Sequence, residues 1–236
     1  MCMDKTELSA ADVAAPIKID IWSDVVCGWC YIGKRRLEAA LERFTGHVDI
    51  EYHSFELAAD TPPEFDGAIQ EYLTQRRGVP LPQAQRMLHD MTTLAATVGL
   101  DYHYDRTQPT NTVLAHELLH FAKSKGRQLE MNERLLDAYF QRGEHVGRIP
   151  DLVRLAQEMG MDGDEVNAAL TKHLFLADVK ADIAQAAALG IQGVPFYVVN
   201  GRYGLSGAQD PDAFLQVLER VAEEDTLAFD HDSATR

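Results

Sequence analysis

Two thiols separated by two residues, Cys27-Gly28-Trp29-Cys30, are the side chains of this sequence best suited to chemistry. At that spacing both sulfurs can lie on one side of a helical turn and close a disulfide. A zinc site would need two further ligands at matching spacing, and the chain has no second such pair. Redox exchange is the chemistry these residues favour. The pair falls where an alternating run ends and a helical pattern begins, so unpaired N–H groups and the helix dipole would favour a thiolate there. Cys27, nearer the helix start, is expected to be the more exposed and attacking thiolate. Cys30, one turn deeper, is expected to be the resolving thiol. Trp29 has two open readings, a substrate-facing apolar contact or packing against neighbouring helices. Lys34, Arg35 and Arg36 on the same helix either favour the thiolate slightly or form a solvated face.

A competing pattern is His116-Glu117-Leu118-Leu119-His120, a literal H-E-x-x-H on a predicted helix, with Glu133 in the following helix as a candidate third ligand. Nine histidines and many glutamates make a chance match easy, and the gap to Glu133 is short for such enzymes. His116 and His120 are therefore read as interface or surface histidines, and no metal is expected. Cys2, beside Met1 and Met3, reads as a free terminal cysteine.

The elements that must position the thiols follow from periodicity. Ile17–Trp22 alternates as a strand, Leu37, Leu41 and Phe44 mark one face of a helix, and His47–His53 alternates again. Between about Glu64 and His173 the predicted helices are Phe65–Gln75, Pro82–Val98, Thr112–Lys125, Glu130–Arg142, Asp151–Met159 and Asp164–His173. A helix over Leu176–Leu189 comes next, then a strand over Val194–Val199. An Asn200-Gly201 hairpin returns through Arg202–Ser206, and Asp210-Pro211 starts a last helix. The order is β-α-β, a helical block, then α-β-β-α. It predicts an α/β thioredoxin-like domain over 16–62 and 174–224, an inserted α-helical domain over 63–173, and flexible termini over 1–15 and 225–236.

Separated blocks along the chain resemble the DsbA family, in its FrnE-like branch. They are Ser23–Cys27 with Trp29–Arg36, Gly193–Phe196 with Gly201–Gly204, Ser206–Gln209, and Asn111-Thr112 with Ala115-His116. The similarity runs from roughly Ile17 to Val221. It implies a thioredoxin fold with an inserted helical domain and thiol–disulfide oxidoreductase activity. It also implies that Pro195 is a cis proline facing the dithiol, with the Val194 backbone free to pair with an extended substrate. The family's usual dipeptide between the cysteines is Pro-Trp, where this chain has Gly28-Trp29, a change at the turn that sets thiolate stability. The cysteine pair would itself be the redox centre, so no cofactor is expected, with glutathione a possible co-substrate. Two alternatives remain open. One is a glutathione-dependent isomerase or transferase of the kappa type, like 2-hydroxychromene-2-carboxylate isomerase, which uses a serine at the first cysteine position. The other is a chaperone-like binding module.

Composition bounds the setting. The chain has 236 residues, 46% hydrophobic and 25% charged, enough for a sizeable core. A formal net charge of −15 argues against nucleic acid or an anionic membrane as partner. With no stretch apolar enough to span a bilayer, no secretory leader pattern and three cysteines, a cytoplasmic protein is expected, acting on protein or small-molecule thiols and possibly as a homo-oligomer.

Overall fold

The computed structural model describes residues 15–233, so Cys2 and nearly all of the expected flexible leader lie outside the described residues. The first strand, β1 (Ile17–Ser23), alternates so that Ile17, Ile19 and Ile21 are buried on one face and Trp22 is buried on the other. Helix α1 (Gly28–Leu41) carries the chain back so that β2 (Val48–Ser54) pairs parallel to β1, with Ile17 opposite Val48 and Ser23 opposite Ser54. A helical block follows: α2 (Ile69–Arg77), α3 (Leu81–Ala96), α4 (Val113–Ser124), α5 (Gln128–Asp137), a π-helical turn (Ala138–Arg142), α6 (Ile149–Glu158) and α7 (Gly163–Thr171). Helix α8 (Leu176–Ala188) leads to the hairpin β3 (Phe196–Val199) and β4 (Tyr203–Ser206), and α9 (Pro211–Ser233) closes the described chain. The sheet order is β2-β1-β3-β4, with β3 antiparallel to both of its neighbours.

Three differences from the expected elements have physical causes. The single helix expected over Glu130–Arg142 becomes α5 and the π turn, which ends on Gly143 at φ 67°. The wider turn leaves the Phe140 carbonyl to accept the His103 N–H at 2.7 Å, which ties down the loop before α4. The strand expected from Val194 begins only at Phe196, since Pro195 has no N–H to give the ladder. The acidic segment beyond Ala222, expected as a frayed tail, continues α9 to Ser233. Its Asp225 is held by Asn200 at 3.0 Å and Arg202 at 2.6 Å, and Tyr203 donates to Glu224 at 2.5 Å. The hairpin thus anchors the acidic side chains.

Asn200 and Gly201 sit at φ 48° and 65°, the backbone that a primed hairpin turn demands, and the Arg202 N–H closes on the Val199 carbonyl at 3.0 Å. On one face of the sheet, Leu37 and Ala40 of α1 and Phe214, Leu218 and Val221 of α9 cover Ile19, Ile21, Tyr197 and Val199. On the other face, Trp22 packs with Ala186 and Ile191, and its indole N–H donates to the Asp182 carbonyl at 3.1 Å. The helical block has its own core around Leu118, Met131, Leu135, Phe140 and Leu155. That core also takes in Tyr31 and Ile32 of α1. Helix α1 therefore belongs to both cores. Strand β2 is an edge strand, and Gln128 of α5 serves it as a surrogate neighbour. The Gln128 side chain accepts from the Tyr52 N–H at 3.0 Å and donates to the Tyr52 carbonyl at 2.8 Å.

Candidate active site

Cys27 is the N-cap of α1, with extended backbone (φ −92°, ψ 109°), and Cys30 lies in the first turn, its N–H on the Cys27 carbonyl at 3.0 Å. The Cys27 N–H in turn bonds the Asp24 carbonyl at 3.1 Å, which fixes the approach to the helix. Both thiols are free and buried. The expected contrast in exposure is small: Cys27 is 5% exposed and Cys30 3%. What separates them is surroundings. Burial, with the Cys27 sulfur alongside, pushes the Cys30 thiol well above the ordinary range, against weaker hydrogen bonds from the Ser23 side chain and the Asp24 backbone. Cys30 is thereby held as a thiol.

The chain's far end completes the surroundings. The Cys27 thiol points at the Val194 carbonyl, 3.6 Å away, and the Val194–Pro195 peptide bond is cis. Pro195 is buried against α1, where a side chain on Gly33 would meet the proline ring at 3.1 Å and the Tyr197 hydroxyl at 2.4 Å. Beyond Cys27 a cavity of about 550 Å³ opens between the start of α1 and helices α2 and α3. Cys27, Gly28 and Trp29 form one wall, with Leu73, Met91 and Tyr104 among the residues opposite. Trp29 is 45% exposed on this wall.

Sequence reasoning missed Tyr102 and Tyr104. Tyr102 donates to the Gly28 carbonyl at 2.8 Å and stacks on Phe140 at 4.5 Å, and Tyr104 packs edge-on against Tyr102. The carbonyl of Phe140, freed by the π turn, fixes the loop that carries both. The available signal was the Tyr-His-Tyr alternation after Asp101, though no helix or strand period marks it.

The basic run does not face the thiols freely. Lys34 and Arg35 bind Glu133 and Glu38, and Arg36 donates to the Ala208 carbonyl at 2.6 Å and pairs with Asp210 at 3.3 Å. Burial raises the Glu133 carboxyl, but hydrogen bonds from Arg35, Lys34 and Tyr31 outweigh it and hold it below the usual range. The H-E-x-x-H residues diverge instead of converging. His116 faces Asp24 at 3.4 Å, His120 bonds Asp182 at 3.0 Å, and Glu117 pairs with His173 at 2.7 Å. Helix α4 is buried from Ala115 to Ala122, so each polar side chain on it faces a different neighbouring element. Glu133, committed to Lys34 and Arg35, joins neither histidine. Among the described residues one group, Asp20, Glu51 and His53, brings donors close enough for a cation. Lys18, Lys123 and Asp182 already pair with them, so the group is a salt-bridge cluster.

The model of the DSBA-like thioredoxin domain matches residues 18–219. The chain belongs to the DSBA-like thioredoxin domain family. The chain is 30% identical over 208 residues to the Bacillus subtilis protein YwbO, covering 86% of this chain and 96% of that one. The crystal structure of a probable DsbA oxidoreductase from Streptomyces coelicolor superposes with a TM-score of 0.83 at 35% identity, covering 88% and 91% of the two chains. The cytosolic disulfide reductase DsbM of Pseudomonas aeruginosa, solved with glutathione, shares the fold at a TM-score of 0.63 and 21% identity, covering 87% and 99%. With the Cys27–Cys30 pair in place, this DSBA-like chain is a thiol–disulfide oxidoreductase.

Proposed function

We propose that Cys27 is the exchanging thiol and Cys30 the resolving thiol, with Trp29, Val194 and Pro195 forming the substrate contacts. The observation that carries this reading is the asymmetry of the pair. Cys27 caps the helix, on the wall of a cavity and facing the Val194 carbonyl, while Cys30 sits behind it in surroundings that keep its proton. In the reducing direction the Cys27 thiolate attacks one sulfur of a substrate disulfide. A Cys27–substrate disulfide forms, and the other substrate sulfur leaves with the electron pair and takes up a proton. Cys30 then loses its proton and attacks the Cys27 sulfur. The second substrate thiol departs and the Cys27–Cys30 disulfide remains, two electrons having passed to the substrate. Oxidation of a dithiol is the same sequence reversed. The exposure of Trp29 beside the cavity supports its substrate-facing reading.

The cysteine pair in place of a serine supports exchange over the kappa-type reaction. We place the protein in the FrnE-like branch and in the cytoplasm. Three cysteines make no disulfide scaffold, which suits a reducing compartment, and no described helix is long and apolar enough to cross a membrane. The test is trapping. Cys30→Ser should accumulate a mixed disulfide on Cys27 by intact mass, Cys27→Ser should form none, and the wild type should reduce insulin with dithiothreitol present. Equal trapping by Cys30→Ser and Cys27→Ser would overturn the assignment of roles.

A further inference from the structure

The cavity at Cys27 has a chemical character that narrows what can be joined to the reacting sulfur. Its volume of about 550 Å³ lies within the range of small-molecule sites, about 300–1,000 Å³. The lining is aliphatic, thioether and aromatic: Leu73 of α2, Met87, Met91 and Leu94 of α3, and Tyr104 and Tyr139. Three of the eight exposed large apolar side chains among the described residues, Trp29, Leu57 and Met87, also line it, each about 45% exposed. Apolar surface left open next to a reactive thiol marks a binding face. Methionines there can reshape to fit irregular apolar groups.

The charge of the lining points the same way. Asp90 is its one carboxylate, and no lysine, arginine or histidine lines it. The cations on α1 are engaged elsewhere, Lys34 and Arg35 on Glu133 and Arg36 on Asp210. The whole chain adds a formal charge of −15. Glutathione carries two carboxylates against one ammonium, so it would bring net negative charge to an acidic site without a cation to receive it. Burying an unpaired carboxylate against apolar walls is costly.

We infer that the exchange partner of Cys27 carries an apolar, non-anionic group on its sulfur, seated between α2 and α3, and that glutathione is a poor substrate. The inference rests on the exchange reading above. Two sources share the chemistry: a small organic disulfide with aryl or branched alkyl groups, and a cystine in a peptide flanked by apolar residues. Attack of Cys27 forms one disulfide and breaks one. The departing thiolate takes the electron pair and then a proton, and the retained apolar group stays in the cavity until Cys30 releases it.

The test uses Cys30→Ser protein, which stops at the first step, and follows mixed-disulfide formation by mass spectrometry. The probes are bis(2-hydroxyethyl) disulfide, a water-soluble benzylic disulfide, glutathione disulfide, and two cystine peptides flanked by Leu and Phe or by Glu. Each rate is divided by the rate of a free model thiol with the same disulfide, which removes intrinsic reactivity. The benzylic disulfide, the Leu/Phe peptide, or both should exceed glutathione disulfide at least tenfold, and which of them does so identifies the source. Asp90→Lys, at an exposed position, should raise the glutathione rate several-fold, and Met91→Gln should lower the apolar rates. Normalised rates for glutathione equal to or above the apolar probes would overturn the inference while leaving exchange itself intact. Absence of reaction with bis(2-hydroxyethyl) disulfide would instead overturn the exchange reading and this inference together.

Discussion

At position 28 a glycine stands where the resembling family usually has proline, and the surroundings give it a steric reason. A Cβ there would come within 2.8 Å of the Tyr104 hydroxyl and 3.3 Å of Met91 Cγ, while Tyr102 holds the Gly28 carbonyl at 2.8 Å. The space a larger residue would fill is taken by the half-buried Tyr104. Gly28→Ala should therefore destabilise the protein by about 1 kcal/mol, the low end of overpacking costs, despite alanine's better helix propensity. In a Tyr104→Phe background the same change should be neutral or stabilising, because the obstructing oxygen is gone. Urea midpoints for the four proteins check this, and additive effects would sink the explanation. Position 28 thus shows how far single residues could be read. The Cys27–Cys30 pair was legible from type and spacing alone. The occupant facing Gly28 was not, because Tyr104 lies 76 residues away on a loop without periodicity.

At the scale of elements, most of the order was legible because strand alternation, glycine stops and the Asn-Gly turn are local signals. The π turn after α5 and the long α9 were not, since both depend on distant partners: the loop at His103 for one, the β3–β4 hairpin for the other. The same holds for Gln128, which reads as an ordinary polar residue at a helix start yet completes the edge of the sheet. Replacing it by alanine leaves the Tyr52 N–H and carbonyl without these partners. Gln128→Ala should cost about 1–3 kcal/mol in denaturant unfolding. Gln128→Glu should recover part of that, because a carboxylate can still accept from the Tyr52 N–H. Full stability of the alanine variant would mean that water replaces the side chain at no cost.

Across the whole molecule, a charged relay ties the sheet to α8 and α4, the helices at its Trp22 face. His53 on β2 binds Asp182 of α8 through Nδ1 and Asp20 of β1 through Nε2, both at 2.9 Å, and stacks on Trp22. Asp182 also binds His120 of α4 at 3.0 Å and the Ser54 N–H at 2.8 Å. Burial alone would lower the pKa of His53, but its hydrogen bonds to Asp182 and Asp20 outweigh that and hold it above the ordinary histidine range. Asp182 lies well below the usual carboxylate range. Burial opposes this, and bonds from His120, His53 and Ser54 overcome it. The signs follow from linkage. The stability from His53 is complete below about 6.5, the free-imidazole pKa, and is lost as the pH rises through its raised native value. That from Asp182 is complete above about 3.9 and is lost only as the pH falls through its depressed native value. Thermal unfolding should thus show a loss of stability as the pH rises above neutrality, and His53→Gln should flatten that slope. An NMR titration placing the His53 ring below a free histidine would contradict it. The H-E-x-x-H motif is resolved at this scale too: its second histidine belongs to the relay that joins α4, α8 and β2.

The hairpin turn has a consequence for how the protein ages. An asparagine followed by glycine is the pairing most open to attack by the next backbone nitrogen on the side-chain amide, which expels ammonia and closes a cyclic imide that water then opens to an acid. Here the Asn200 amide is engaged at both ends, accepting the Lys18 N–H at 2.7 Å and donating to Asp225 at 3.0 Å. The bonds that shape the turn therefore also slow its decay. Once formed, a carboxylate at that position would face Asp225 across the lost hydrogen bond and press the last helix away from the sheet.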